Sequence, residues 1–226
     1  MRLIIGIVWV FLAGCGAGAP PSVVAFGDSN TEQTNLPHES RWVNRLSELR
    51  QLRIVNAGIG GNTSSQGLKR IDDVLDNNPV LVLIMFGTND AVMVDYDKPQ
   101  VDKETFSDNI ETIINDVRAV GAKPVLMTVI PMIEGNGSDG YYYSRHPYAY
   151  YSGHGGANAL QNTYNDIIRD IATRDGVILV DQWGAFIKAA GGADDAHLIA
   201  SGLFDKSGTH MTEKGARLVV EQLADL

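Results

Sequence analysis

Four short clusters of polar residues carry the side chains of this 226-residue chain that could do chemistry. Three of them, at residues 27–31, 56–63 and 86–90, follow short apolar runs, and the fourth, at residues 205–210, precedes the last amphipathic stretch. Ligands of parallel α/β sheets bind beyond the carboxyl ends of the strands. If the apolar runs are parallel strands, these clusters meet at one edge of the sheet and form a candidate active site.

Ser29 in the first cluster and His210 in the fourth are residue types that can cleave an ester together. A serine hydroxyl becomes a good nucleophile only when a base within hydrogen-bond reach accepts its proton. Each residue also has a simpler interpretation by itself, since Ser29 could cap a helix after a turn and His210 could lie on the surface. The choice depends on whether the clusters occur as a set.

Taken in order, the clusters resemble the sequence blocks of the SGNH (GDSL-type) hydrolase family. They read Gly-Asp-Ser, Asn-x-Gly-x-x-Gly, Gly-x-Asn-Asp and a C-terminal His, and the resemblance covers the chain after Ser22. Residues 54–68 are especially similar to the thioesterase and lysophospholipase branch. The resemblance implies the flavodoxin-like fold of that family and a serine esterase activity.

The resemblance also implies roles for individual residues, with Ser29 as the nucleophile and His210 as the base. The charge that develops on the substrate carbonyl oxygen is stabilised by preorganised donors, each contributing about 3 kcal/mol. The implied donors are the backbone N–H groups of Ser29 and Gly61 and the side-chain amide of Asn89. The aspartates that adjoin Ser29 and Asn89 are expected to brace their loops through backbone hydrogen bonds.

The last block departs from the family pattern, which is Asp-x-x-His. Ser207 occupies the acid position three residues before His210, and Asp205 lies five residues before it. An acid in this place fixes the imidazole tautomer and stabilises the charged ring. Asp205 is the predicted acid, reaching the ring through a longer loop. The alternatives are that Ser207 orients the ring or that a main-chain carbonyl does so.

The rest of the chain alternates apolar runs with amphipathic stretches, the pattern of a parallel sheet covered by helices on both faces. The sequence predicts an α/β three-layer sandwich with a central five-stranded parallel sheet flanked by helices. The predicted strands are residues 23–26, 53–56, 80–86, 123–130 and 177–180. The predicted helices are residues 38–50, 64–76, 103–120, 158–174 and 212–224.

The N-terminal segment predicts export. Arg2 precedes a short apolar stretch at residues 3–12, which is too short to span a bilayer. The following Leu-Ala-Gly-Cys resembles the bacterial lipobox, which implies that Cys15 is lipidated. We therefore expect a signal peptide at residues 1–14, a lipidated cysteine with a short tether at 15–21, and one hydrolase domain at 22–226. The chain would be a lipid-anchored protein of the bacterial cell envelope.

A long loop at residues 133–156 follows a predicted strand and is rich in tyrosine and glycine. Aromatic rings in such a loop suit stacking on sugar rings or gripping an acyl chain, and a packed insertion without a ligand is an equal alternative. His146 and His154 lie in this loop without the acidic or cysteine partners of a metal site. The candidate substrate-binding tyrosines are Tyr141, Tyr142, Tyr143, Tyr148, Tyr150 and Tyr151.

Together these features predict a serine carboxylester hydrolase of the cell envelope that needs no cofactor or metal. Its expected substrates are carbohydrate O-acetyl groups, short-chain esters or lysophospholipids. The formal charge of −9 and the lack of a basic run argue against a nucleic-acid partner. Two alternatives remain open: O-acyl transfer to an envelope glycan, and a catalytically silent domain that binds glycan.

Overall fold

The structure is a computed structural model and describes residues 21–224 and residue 226. The predicted signal peptide and Cys15 lie outside the described residues, as does the tether up to residue 20. Among the described residues, no helix is both long enough and apolar enough to cross a membrane.

The centre of the fold is a five-stranded sheet in which every paired strand runs parallel to its neighbour. This confirms the predicted fold class. The strand order is β2-β1-β3-β6-β7, and a separate antiparallel hairpin is formed by β4 and β5. The strands are β1 (Ser22–Gly27), β2 (Ile54–Gly58), β3 (Pro79–Met85), β4 (Met93–Asp95), β5 (Lys98–Pro99), β6 (Lys123–Met127) and β7 (Ile178–Val180).

Helices cover both faces of the sheet. The α-helices are α1 (Ser29–Glu32), α2 (Trp42–Arg50), α3 (Ser64–Leu68), α4 (Ile71–Leu75), α5 (Lys103–Ala119), α6 (Ala157–Asp175), α7 (Gln182–Ala190), α8 (Asp195–Ser201) and α9 (Glu213–Leu223). Because strand side chains alternate, Val24 and Phe26 face a core shared with α4, α5 and α6, whereas Val23 and Ala25 face one shared with α2, α7, α8 and α9. The site therefore rests on a sheet that is packed on both sides.

The helix predicted over residues 64–76 is two helices, α3 and α4. Arg70 separates them with a φ of −119° and a ψ of 23°, outside the helical region. Its guanidinium donates hydrogen bonds to the carbonyl oxygens of Gly27 at 3.0 Å and Ala57 at 2.8 Å. The break places a cation under the loops that follow β1 and β2, where it holds their carbonyl groups.

Candidate active site

Ser29 is the first residue of α1, directly after β1. The carboxylate of Asp28 caps this helix by accepting the backbone N–H of Asn30 at 2.9 Å. A side chain at Gly27 would collide with Thr31 and with the backbone of Met85, so the strand must end in glycine for α1 to approach the sheet. The tight turn presents the Ser29 hydroxyl at the carboxyl edge of the sheet.

His210 lies in the loop before α9 with its imidazole against the serine. Its Nε2 is 3.0 Å from the Oγ of Ser29. An antiparallel bridge between Phe204 and Met211 closes the loop, and the backbone N–H of Asp205 donates to the His210 carbonyl at 2.9 Å. The fold thus brings together two residues that are 181 positions apart in the chain.

The other ring nitrogen of His210 contacts a hydroxyl. Nδ1 is 3.0 Å from the Oγ of Ser207, and that hydroxyl lies 2.5 Å from Oδ1 of Asp205. Because the ionised carboxylate can only accept, the Ser207 hydroxyl donates to Asp205 and accepts from Nδ1–H. This direction fixes the tautomer and leaves the Nε2 lone pair facing Ser29.

Asp205 therefore contacts the imidazole only through the Ser207 hydroxyl. Two of the three alternatives for orienting the ring, Asp205 and Ser207, are thus combined. The Asp205 carboxylate also accepts the Ser207 backbone N–H at 2.8 Å and the Asn35 side-chain amide at 3.1 Å. Asn35 donates as well to the carbonyl of Met211 at 3.1 Å. These contacts hold the acid under the hydroxyl.

The pKa of the His210 imidazole lies below its ordinary value. The main cause is burial, which disfavours the charged ring. The negative charge of Asp205 acts in the opposite direction, and the positive charge of Arg145 lowers the pKa further. The ring is thus neutral at pH 7 and able to accept a proton.

The predicted oxyanion donors Ser29, Gly61 and Asn89 line the same cleft as His210. The Asn89 side-chain amide donates to the carbonyl of Asn62 at 2.9 Å and to Oδ2 of Asp28 at 3.4 Å. Gly61 has a positive φ of +77°, which favours glycine. Gly61 and Ser29 both line the cleft, and the part of the chain that the structure describes offers no acceptor for either backbone N–H. The adjacent N–H of Gly60 is already donated to the Glu32 carboxylate at 2.8 Å.

Two buried aspartates brace the loops on this side, as expected. Asp90 accepts the backbone N–H of Ser64 at 2.8 Å and its hydroxyl at 2.5 Å. Burial raises the pKa of Asp28 to about 7 and that of Asp90 to about 6. Oδ2 of Asp90 has no hydrogen-bond partner among the described residues.

The site opens into a cleft of about 360 Å³. Its wall opposite the sheet comes from the tyrosine-rich loop, and sequence reasoning missed one functional candidate there, Arg145. The only available signal was a basic residue within that loop. The residues that matter for chemistry along the cleft are Ser29, Gly61, Asn89, Tyr142, Arg145 and His210.

Of the candidate tyrosines, only Tyr142 lines the cleft. Tyr142, Tyr143 and Tyr151 are buried, so these three rings are packed within the protein. The Tyr142 and Tyr151 hydroxyls lie 2.7 Å apart, and Tyr143 accepts the backbone N–H of Ala157 at 2.8 Å. The Tyr148 ring is exposed, and Tyr141 and Tyr150 are half-buried.

The histidines of the loop have other partners. The His146 ring stacks on Tyr142 with ring centroids 4.4 Å apart, and His154 lies 3.4 Å from Asp97. Within residues 21–224 and 226, no group of three or more His, Cys, Asp or Glu side chains is arranged to hold a metal ion.

A serine, an imidazole and candidate oxyanion donors at the carboxyl edge of a parallel sheet define an acyl-hydrolase class of site. The chain belongs to the GDSL-like lipase/acylhydrolase family, whose model matches residues 25–218. It is an enzyme of the SGNH, or GDSL, esterase type.

Curated relatives include an uncharacterized lipoprotein of Bacillus subtilis (strain 168), YqeF. It is 47% identical over 233 residues, which cover 99% of this chain and 96% of that protein. An arylesterase of Vibrio mimicus is 25% identical over 65% of this chain and 74% of its own length. The thioesterase 1/protease 1/lysophospholipase L1 of Escherichia coli (strain K12) is 32% identical over 50% of this chain and 53% of its own.

Solved structures share the fold. LAE5, an alpha/beta hydrolase enzyme from the metagenome of Lake Arreo, matches with a TM-score of 0.68 and 23% identity over 92% of this chain and 95% of that chain. A catalytic mutant of Axe2, an acetylxylan esterase from Geobacillus stearothermophilus, matches with a TM-score of 0.67 and 21% identity over 91% and 93% of the two chains.

Proposed function

We propose that the protein is a serine carboxylester hydrolase of the bacterial cell envelope that works through an acyl-enzyme. The observation that carries this proposal is the 3.0 Å contact between Nε2 of His210 and Oγ of Ser29. This distance lies within the range in which an imidazole can take the hydroxyl proton during attack.

In the first half of the reaction, the Ser29 oxygen bonds to the acyl carbon as its proton passes to Nε2 of His210. The resulting imidazolium gives that proton to the leaving alcohol as the ester C–O bond breaks. In the second half, a water attacks the acyl-serine, His210 takes a proton from the water, and Ser29 recovers its hydrogen as the carboxylic acid leaves. This is the general course of serine acyl transfer.

The negative charge on the tetrahedral intermediate is stabilised by three donors in the proposal. They are the backbone N–H groups of Ser29 and Gly61 and the amide of Asn89. Support comes from their position along one cleft and from the unused state of both backbone N–H groups among the described residues. Asn89 would exchange its hydrogen bond to the Asn62 carbonyl for one to the oxyanion.

Ser207 and Asp205 are proposed as positioning residues rather than groups that touch substrate. The Nδ1–Ser207–Asp205 chain orients the ring, and the carboxylate stabilises the imidazolium through a polarised hydroxyl. The added link distinguishes this site from the family pattern, in which an acid occupies the position of Ser207.

The substrates are proposed to be acyl or acetyl esters of envelope or exogenous glycans or lipids. Relatives described as an arylesterase, a lysophospholipase and an acetylxylan esterase support an ester substrate without selecting one. Lipidation at Cys15 is proposed from the lipobox and from the similarity to a Bacillus lipoprotein. Tyr142 is the loop tyrosine proposed to contact substrate.

Hydrolysis of p-nitrophenyl acetate, butyrate and octanoate by the chain from Gly16 onward tests the proposal. Ser29→Ala should abolish turnover and leave the free energy of unfolding within about 1 kcal/mol, because it removes one hydroxyl at the cleft. Ser138→Ala, in an exposed part of the loop, is the matched control and should keep the wild-type rate. Turnover that survives Ser29→Ala would refute the nucleophile.

A further inference from the structure

The guanidinium of Arg145 is the one permanently charged group among the residues that line the cleft. The other lining residues carry no permanent charge, and Asp28 and Asp90 are buried and do not line the cleft. Arg145 is exposed and pairs with no carboxylate in the part of the chain that the structure describes. In a chain with 27 acidic and 18 basic side chains, an unpaired arginine in the active cleft is a distinctive feature.

Main-chain carbonyl groups fix the position of this arginine. One terminal nitrogen donates to the carbonyl of Gly140 at 3.2 Å and the other to the carbonyl of Ser207 at 3.1 Å. A guanidinium has five N–H donors in a rigid planar fork, so several remain unused. This geometry suits the binding of an anion, because the Arg145 guanidinium is already held in place and no carboxylate among the described residues neutralises its charge.

The contact with Ser207 places the guanidinium on the His210 side of the cleft. His210 must deliver a proton to the leaving alcohol, so the alcohol part of the ester lies on this side. In the proposed reaction the carbonyl oxygen is bound by Gly61 and Asn89, which also line the cleft. An anionic group that contacts Arg145 therefore belongs to the alcohol part of the substrate.

We propose that Arg145 is a specificity residue that binds a phosphate or carboxylate carried by the alcohol part of the substrate. This rests on the proposed esterase function and narrows it. The preferred esters are those in which the anionic group lies within a few bonds of the scissile oxygen. The negative charge of the rest of the protein repels anions in general, so the preference is confined to the cleft.

A matched pair of esters tests the proposal: 1-butyrylglycerol 3-phosphate and 1-butyrylglycerol. They share the acyl group and the scissile bond and differ only in the phosphate. For the wild-type enzyme, kcat/KM should be roughly tenfold or more higher for the phosphate ester, as expected of a charge-assisted hydrogen bond. High salt should reduce that ratio through screening.

Arg145→Gln should bring the ratio to about one or below, mainly through KM for the phosphate ester, and Arg145→Lys should keep part of it. A purely structural role would slow both esters equally and leave the ratio unchanged, and this outcome would overturn the proposal. Arg118→Gln removes the same charge from the C-terminal end of α5, at the opposite edge of the sheet, and should retain the wild-type ratio.

Failure of this inference is distinguishable from failure of the esterase function. Ser29-dependent hydrolysis of p-nitrophenyl butyrate with no preference for the phosphate ester would refute only the role of Arg145. Lysophosphatidic acid and an O-acetylated polyuronate then separate the two sources of the anion. If Arg145→Gln slows hydrolysis of either substrate, the proposal is supported and the source of the anion is identified. If Arg145→Gln leaves the hydrolysis of both substrates unchanged, the proposal is contradicted.

Discussion

The two sides of the active cleft are built in different ways. On the side of the proposed oxyanion donors Gly61 and Asn89, the supporting residues Asp28, Asp90 and Ser64 are fully buried, and the two carboxylates accept backbone N–H groups. On the base side, Asp205 and Ser207 are half-buried and contact His210 through side chains. One side is fixed by the packed interior and the other by a short polar loop.

This difference explains where the chain departs from its family pattern. A buried polar group that loses its partner costs about 1–3 kcal/mol, so substitutions on the oxyanion side affect folding as well as chemistry. A half-buried loop can insert one hydroxyl between an acid and an imidazole without leaving a group unsatisfied. The substitution of Ser207 for the family acid lies on the tolerant side.

The largest effect on activity is expected on the oxyanion side, from Asn89→Ala. Loss of one oxyanion donor should lower kcat by a factor on the order of 100 to 1,000. Steady-state kinetics with p-nitrophenyl butyrate measures it, and Asn44→Ala, an amide on α2 away from the cleft, is the control. A decrease of less than about tenfold would remove Asn89 from the oxyanion hole.

The next effect concerns stability and comes from Asp90→Asn. The pKa of Asp90 is raised from 3.8 to about 6 in the folded protein, so its contribution to stability is present below pH 3.8 and is lost as the pH rises through about 6. The asparagine variant avoids this loss, which amounts to about 3 kcal/mol from the shift in pKa. The free energy of unfolding of Asp90→Asn should therefore increase relative to that of the wild type as the pH rises from 3.8 to about 6.

Denaturant unfolding at several pH values measures that difference. The exposed Asp72→Asn is the control and should follow the wild-type curve. Parallel curves for wild type and Asp90→Asn would mean that Asp90 is not held in its neutral form by burial.

A smaller effect is expected on the base side, from Ser207→Ala and Asp205→Ala. Each should lower kcat by roughly tenfold to a hundredfold, below the loss seen for a directly bonded triad acid. Because both act through one hydrogen-bonded chain, the double variant should lose little more than Ser207→Ala alone.

Ser207→Asp in the Asp205→Ala background places an acid at the family position and should recover part of the rate. Fully additive losses in the double variant, or no recovery with the aspartate, would show that the two residues do not act in series.

The sequence predicted the sheet well because each strand is an apolar run with its own turn signals. It was less accurate where long-range contacts set the local structure. The predicted strand 123–130 ends at Met127. The Thr128 N–H still donates to Val180 of β7 at 3.2 Å, but the Val129 N–H is donated to the side chain of Asn165 of α6. Helices α7 and α8 were missed, although Asp181 and Asp194 cap them and were visible in the sequence.

For the candidate site as well, the sequence was informative where local patterns set the structure and uninformative where long-range contacts did. The positions of Ser29 and His210 depend on strand ends and a resemblance, both of which can be read from the chain. The connection from His210 through Ser207 to Asp205 depends on the conformation of a loop, which spacing alone does not determine. Arg145 enters the cleft through a carbonyl contact with Ser207, 62 residues away, and no sequence pattern signals this.

The smallest effect is a shift in the pH dependence. His210 must be neutral to act as a base, and its pKa is lowered, so the acidic limb of kcat/KM should lie below pH 6.5. Asp205→Asn removes a negative charge that favours the imidazolium and should move the limb to lower pH. Arg145→Gln removes a positive charge and should move it to higher pH, whereas shifts in the same direction would contradict these assignments.

The direction of β1 has a consequence for the whole molecule. The strand begins at Ser22 and ends just before the turn that carries Ser29, so these two residues lie at opposite ends of β1, about 20 Å apart for a strand of this length. A tether joined at Ser22 would therefore start at the amino-terminal edge of the sheet, away from the carboxyl edge that carries Ser29.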